Sequence, residues 1–157
     1  MSRPASIPRP FSWLLALLYF LSAYLLVAVL AADSTGLLRQ ITGVPHAHEL
    51  GVGLLDDPAF DATMQCQVLI TLLVWPTFAW LYLRKRLTLA HARALAWVWL
   101  TAAVLVDFIG FVAIGHPGSL ATREFYLDYQ PWITLIYAAI FASPFVSWWL
   151  MRHARAG

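Results

Sequence analysis

One polar side chain from each of four long apolar stretches reaches a similar depth, and these side chains are the best candidates for chemistry: Tyr24, Gln67, Asp107 and Tyr137. Asp107 is the only acidic residue inside these stretches, and all ten Lys and Arg residues lie outside them. An ionised carboxylate inside a bilayer is costly unless it faces protein or water. Asp107 is therefore either protonated and hydrogen-bonded, or charged against a cationic ligand.

The stretches that position these side chains cover residues 11–32, 62–83, 94–114 and 131–151. Each is 21 or 22 residues long, which at about 1.5 Å per residue matches the roughly 30 Å hydrocarbon core of a bilayer. Hydrophobic residues make up 61% of the chain and charged residues 11%. We therefore predict an all-α, polytopic membrane protein in which residues 1–157 form a single domain, a four-transmembrane-helix bundle.

Lys and Arg lie mostly on one side of the predicted membrane, the side that holds both termini. Only Arg39 and Arg123 fall on the other side, so both termini are predicted to be cytoplasmic. The excess of Arg over Lys favours a bacterial inner membrane, with the endoplasmic reticulum as the alternative. These basic residues are too few, and too close to the spans, for nucleic-acid binding. The short connection over residues 84–93 predicts that the second and third spans are antiparallel neighbours, which would bring Gln67 next to Asp107.

Asp107 has two interpretations. As a structural residue it is neutral and bonds to Gln67 or to a Tyr hydroxyl, so that it only locks helices together. As a functional residue it binds a ligand or transfers a proton, which is the usual role of an acid inside a membrane.

Three residues inside the spans bear on whether the bundle contains a cavity. Trp75 is deep enough to line one, although core packing is the better explanation of it. Pro76 and Pro144 each remove a backbone hydrogen bond within a span. They either open the cytoplasmic half of the bundle around a cavity or merely bend their helices.

Metal and cofactor motifs give little support for a catalytic centre. The outer side carries His and Glu residues, but their spacing is too weak to predict a metal site: His46, His48, Glu49 and His116. The sequence has no phosphate-binding or dinucleotide-binding loop. We predict neither a metal nor a cofactor.

Several short segments carry a family resemblance through their order along the chain. They are the run from Arg9 to Ser22 (RPFSWLLALLYFLS), Asp57-Pro58, Gln67 standing nine residues before Pro76, Asp107-Phe108-Ile109-Gly110-Phe111, and Tyr129-Gln130-Pro131-Trp132. Over nearly the whole chain, this order resembles the EXPERA domain, the four-helix membrane module of the emopamil-binding sterol isomerases and the sigma-2 receptor.

The resemblance implies a cavity open toward lipid and suited to a sterol-like or cationic amphiphilic ligand. It also implies that Asp33 and Asp57 match acids near that cavity. Gln67 and Ile114 stand where the isomerases carry their two acids. Because glutamine cannot donate and recover a proton at ordinary pH, the resemblance does not imply isomerisation by a carboxylate pair.

Three functions are compatible with these features. The first is a binding protein for membrane lipid or a hydrophobic small molecule, with Asp107 and Gln67 as polar anchors and Tyr24, Tyr137 and Trp75 as walls. The second is a small accessory subunit of a larger membrane complex. The third is an isomerase or proton-coupled transporter that uses Asp107, for which a homodimer would supply a second acid.

Overall fold

A computed structural model of the protein describes residues 10–46, 49, 57–114 and 121–155. Four helices in this part of the chain are long and apolar enough to cross a membrane. They are α1 (Trp13–Thr42), α2 (Pro58–Leu83), α3 (Leu89–Asp107), which continues as a π-helix over Phe108–Ala113, and α4 (Trp132–Ala154). A further π-helical segment covers Glu124–Asp128. The predicted all-α membrane bundle is confirmed.

Capping residues explain where the helices begin and end. Ser12 and Thr88 precede α1 and α3, and each hydroxyl oxygen accepts a backbone N–H of the first turn. Asp57 caps α2 in the same way, and Pro58 suits the first helical position because no donor is needed there. Gly43 ends α1 in the left-handed conformation, with φ of 69°.

Helix α1 is longer than its predicted span, which ended at residue 32. It has 30 residues, or roughly 45 Å at the usual rise per residue. Ser34 and Thr35 do not interrupt it, because both hydroxyls donate to the Ala31 carbonyl within the helix, at 2.8 and 3.1 Å. The outer end of α1 therefore extends past the apolar stretch.

The helices are arranged in the order α1, α2, α4, α3 around the bundle. Helices α2 and α3 barely touch, so the prediction that they are neighbours is wrong. Trp75 on α2 and Trp99 on α3 meet edge to face in the middle, with ring centroids 5.2 Å apart. The two indole rings lie between α2 and α3, which stand on a diagonal of the bundle although only residues 84–88 connect them.

The inner half of the bundle, which holds the connection 84–88 and the described chain ends, is tightly filled. Its largest fully buried side chains are aromatic: Phe20, Trp75, Tyr82 and Trp99. The Ser147 hydroxyl of α4 also donates to the carbonyl oxygen of Pro76 in α2, at 2.7 Å. Pro76 and Pro144 therefore do not open this half, and the bundle is hollow at the opposite end.

Candidate functional site

Asp107 joins three helices through two tyrosine hydroxyls. Tyr24 on α1 donates to Asp107 Oδ1 at 2.5 Å, and Tyr137 on α4 donates to Oδ2 at 2.9 Å. Asp107 is the last residue of α3 before its π-helical continuation, and its exposed fraction is 8%. Both carboxylate oxygens are therefore held in place, and each keeps a second lone pair for another donor.

A cavity of about 490 Å³ opens beside this carboxylate, in the outer half of the bundle. All four helices and the segment before α4 contribute to its lining. Small residues of α1 form one wall: Ala28, Ala31, Ala32 and Gly36. Aromatic residues contribute much of the rest: Phe60, Trp75, Phe111, Phe125 and Tyr129. A volume of this size is in the usual range for small-molecule sites.

The aromatic residues of the lining form a connected series. The rings of Phe60 and Tyr129 stack with centroids 5.9 Å apart, and those of Phe111 and Phe125 stack at 5.7 Å. Phe125 and Tyr129 lie 6.0 Å apart and link the two pairs. Each such ring pair contributes about 0.5 to 1.5 kcal/mol beyond the burial of its area. The wall is therefore built before any ligand arrives.

Gln67 lines the same cavity, and its exposed fraction is only 8%. Within the described residues its side-chain amide makes no hydrogen bond to protein. Every fully buried side-chain N or O atom of the described residues has a hydrogen-bond partner, so the unpaired Gln67 amide atoms are accessible from the cavity. The amide can donate and accept hydrogen bonds, so its position favours a polar group of a molecule in the cavity.

The predicted site residues fall into two groups. Tyr24, Gln67, Trp75 and Asp107 line the cavity together. Tyr137 lies outside the lining and contacts Asp107 from α4. The predicted contact between Gln67 and Asp107 is replaced by the two tyrosine contacts, because their helices lie on a diagonal of the bundle.

The two acids suggested by the family resemblance lie outside the cavity lining. Asp33 is exposed on the outer part of α1. Asp57 is 2% exposed and forms an ion pair with Arg39 of α1. Ile114, which stands where the isomerases carry an acid, is 63% exposed at the end of the π-helix.

Asp57 and Arg39 clamp the outer ends of α1 and α2 together. Asp57 Oδ1 accepts the backbone N–H groups of Ala59 and Phe60, at 3.0 and 3.3 Å, while Oδ2 accepts from Arg39. Burial acts to raise the pKa of Asp57, but the hydrogen bonds from Arg39, Phe60 and Ala59 outweigh burial and hold the pKa below its ordinary value. Asp57 is thus a structural anion at neutral pH.

Sequence reasoning missed Arg39 and most of the aromatic lining as site residues. Arg39 was assigned only to the outer side, whereas the structure places it at the outer end of the cavity. The signal that would have found it is the helical register: Thr35 and Arg39 continue the face of α1 that carries Tyr24 and Ala28. The apolar stretch ends at residue 32, so a prediction based on hydropathy does not include Thr35 and Arg39 in the helix.

Metal ligation finds little support in the described ranges, where no group of three or more His, Cys, Asp or Glu residues is arranged to hold an ion. His46 lines the cavity, and Glu49 is exposed. His48 and His116 lie outside the described residues.

Comparisons with known proteins leave the family open. No protein-family model, curated protein or solved structure matches the chain. The resemblance to the EXPERA domain therefore stays a prediction.

Proposed function

We propose that the chain is a membrane-embedded binding protein for a lipid, sterol-like or cationic amphiphilic ligand. The observation that carries the proposal is the mostly apolar cavity of about 490 Å³, in whose lining the Gln67 amide, which makes no hydrogen bond within the described residues, lies together with the Asp107 carboxylate. Apolar walls with a few fixed polar groups are typical of small-molecule sites. The walls supply affinity, and the polar groups orient the ligand.

The environment of Asp107 favours a ligand with a donor group. Two tyrosine hydroxyls already hold the carboxylate, so a ligand N–H or O–H meets an acceptor that needs no rearrangement. An ammonium group would in addition offset the cost of an ionised acid at this depth. Binding energy is largest when the site is organised in advance, because less freedom is lost on association.

An isomerase function has weaker support from the same cavity. Among the described lining residues Asp107 is the only carboxylate, and Gln67 cannot exchange a proton at ordinary pH. Proton removal and return at two positions would require a second acid or base beside Asp107. The lining histidine, His46, directly follows Pro45, whose carbonyl accepts from Arg39, so it lies at the opposite end of the cavity from Asp107. Binding is therefore the function that we propose for this cavity.

We infer the cellular membrane that holds the protein from the distribution of its charged residues alone. The Lys and Arg residues on the side of the termini support a bacterial inner membrane with both termini in the cytoplasm. The endoplasmic reticulum membrane is the alternative, and the same charge bias would then face the cytosol.

Native mass spectrometry from mild detergent tests binding and assembly in one measurement. We expect the monomer or a homo-oligomer to carry a bound mass in the range of a lipid or small amphiphile. Stoichiometric copurification of other chains without any bound small molecule would instead identify an accessory subunit and contradict the proposal.

A matched pair of glutamine variants tests the cavity directly. Gln67→Leu removes the amide in the lining, whereas Gln65→Leu changes an exposed glutamine two residues away on the same helix. Titration with a long-chain alkylamine should show weaker binding for Gln67→Leu by about tenfold, the effect of one buried hydrogen bond, and unchanged binding for Gln65→Leu. Equal affinities for both variants would remove Gln67 from the site.

A further inference from the structure

The cavity has a second charged end, away from Asp107. Its lining follows α1 from Tyr24 to Arg39, a distance of roughly 22 Å at about 1.5 Å per residue. Tyr24 contacts Asp107 at the deep end, and Arg39 stands at the outer end. The residues of α1 that line the cavity between them are apolar or small except for Thr35: Val27, Ala28, Ala31, Ala32 and Gly36. The space is therefore elongated, with a polar group at each end.

The Arg39 guanidinium is fixed in position before a ligand binds. Its Nη2 donates to Asp57 Oδ2, and its Nη1 donates to the carbonyl oxygen of Pro45 at 2.6 Å. The side chain is only 12% exposed. Arginine carries five N–H donors, and within the described residues only these two bonds to protein use them, so the remaining donors lie at the end of the cavity.

The pairing with Asp57 decides which ligand group fits best beside Arg39. The ion pair is close to neutral as a whole, and an added anion would lie near the buried Asp57 carboxylate. An uncharged acceptor, such as a hydroxyl or a carbonyl oxygen, takes an N–H without that repulsion. Hydrogen bonds to a charged donor are stronger than those between neutral groups.

We propose that Arg39 forms a second polar subsite, which binds an uncharged oxygen at the outer end of an elongated ligand whose other end binds Asp107. This inference rests on the proposed binding function and narrows it to ligands with polar groups at both ends. A ligand with one polar head and a plain hydrocarbon tail would leave the Arg39 donors without a partner.

Alkylamines of graded length, each compared with the amino alcohol that carries a hydroxyl at its far end, test the proposal on the full chain in detergent. For short chains the hydroxyl should weaken binding, because it is desolvated without a partner. At the length that spans the distance from Asp107 to Arg39, the hydroxyl should instead strengthen binding about tenfold. The absence of such a length optimum in the wild-type protein would overturn the proposal.

Variants separate contact with the ligand from the clamp between α1 and α2. Asp57→Asn breaks the charge pairing but keeps Arg39, and the hydroxyl gain should remain. Arg39→Gln in the Asp57→Asn background should abolish the gain, measured in that variant as the ratio of the affinities of each amino alcohol and its plain alkylamine. If Asp57→Asn alone removes the hydroxyl gain, the gain depends on the ion pair between α1 and α2. That result would contradict direct contact between Arg39 and the ligand.

The plain alkylamines also keep this inference separate from the proposed function. Plain alkylamines that bind the wild-type protein with dependence on Asp107 support the binding function. If the amino alcohols then show no gain that depends on Arg39, only the proposal of a second subsite is wrong. If no alkylamine binds with dependence on Asp107, both proposals fail.

Discussion

Asp107 combines a structural and a binding role in one side chain. It accepts hydrogen bonds from α1 and α4, and it lies in the lining of the cavity. A hydrogen bond to a charged group contributes about 1.5 to 3 kcal/mol, so the two tyrosine bonds alone justify a polar residue here. The two tyrosine bonds do not require residue 107 to be ionised, because an uncharged asparagine of similar shape could also accept a hydrogen bond. Charge is therefore the property that distinguishes the two roles.

Substituting Asp107 separates these roles. Asp107→Leu leaves the hydroxyls of Tyr24 and Tyr137 without their acceptor and should lower the free energy of unfolding by about 2 to 4 kcal/mol. Asp107→Asn keeps an acceptor and a hydrogen-bonding partner, and its loss of stability should stay near 1 kcal/mol. Thermal unfolding in detergent measures both changes.

Binding by the same variants distinguishes a structural lock from a ligand anchor. An anchor predicts that Asp107→Asn loses affinity for a long-chain alkylamine while keeping that for the alcohol of equal length. Equal alkylamine affinity of Asp107→Asn and wild type across roughly pH 5 to 9 would leave helix packing as the role of this acid.

Gly36 offers a way to fill the cavity without disturbing the core. It lies within α1 and lines the cavity, and a Cβ atom added there meets no atom within 4 Å. Gly36→Ala should stabilise the helix by up to about 1 kcal/mol, since alanine loses less backbone freedom than glycine. Gly36→Phe should keep the fold but reduce alkylamine binding at least tenfold by occupying the space. Unchanged binding with Gly36→Phe would place the ligand elsewhere.

At the scale of helices, one carboxylate, that of Asp57, both caps the N-terminus of α2 and joins α2 to α1. Asp57 caps the helix with Oδ1 and pairs with Arg39 through Oδ2. Nearby, the hydroxyls of Thr35 and Thr63 lie 2.9 Å apart and also join α1 to α2. A helix cap contributes about 1 kcal/mol, and leaving a buried partner charge unpaired costs several more. The outer ends of the two helices are therefore held by polar contacts rather than by apolar packing.

The lowered pKa of Asp57 gives the fold a dependence on pH. A carboxylate with a lower pKa in the folded state stabilises the protein above its ordinary pKa of about 4, and this stabilisation is lost as pH falls through the folded value. The thermal midpoint should therefore fall as the pH is lowered from about 5 towards 3, and Asp57→Asn should reduce that fall. A pH profile of the variant that parallels the wild type would show that other acids cause the change.

Hydropathy predicted the number of helices and most of their ends, but not the outer end of α1. It measures how much of the chain fits in the hydrocarbon core, whereas α1 continues to Thr42 because its polar residues find partners. The hydroxyls of Ser34 and Thr35 bond back into the helix, and Arg39 finds Asp57 on α2. Such partners depend on tertiary structure, which hydropathy does not record.

The predicted polar residues meet at one cavity, but the predicted hydrogen bond between Gln67 and Asp107 is absent. Tyr24, Gln67 and Asp107 line the cavity together, and Asp107 accepts from Tyr24 and Tyr137 instead. Pairing depends on the order of helices around the bundle. A short connection suggested that α2 and α3 are neighbours, but α1 and α4 lie beside each of them and Trp75 meets Trp99 between them, and side-chain packing cannot be read from the length of a loop.

Across the whole molecule, side-chain size divides the bundle into a filled half and a hollow half. Aromatic residues meet at the centre of the inner half, and the Trp99 indole N–H donates to the Ala16 carbonyl at 2.9 Å, which fixes α3 against α1. In the outer half α1 presents Ala28, Ala31 and Gly36 to the cavity. Large leucines of α1 are exposed on the outside of the bundle, as a surface in lipid requires: Leu14, Leu18 and Leu25. The hollow half is therefore enclosed by a rigid base and by lipid-facing helices.

Four spans place the two ends of the described chain, Pro10 and Arg155, on one side, and the charge bias predicts that this side is cytoplasmic. The cavity would then lie in the outer leaflet. Gln40→Cys and Lys85→Cys in a Cys66→Ala background report the two sides, because Gln40 lies near the outer end of α1 and Lys85 in the connection between α2 and α3, and both are exposed. In intact cells an impermeant maleimide should label Gln40→Cys and leave Lys85→Cys unlabelled until the membrane is opened. The reverse labelling pattern would show that the protein has the opposite orientation. Its cavity would then lie in the cytoplasmic leaflet, and its ligand would come from the lipids of that leaflet.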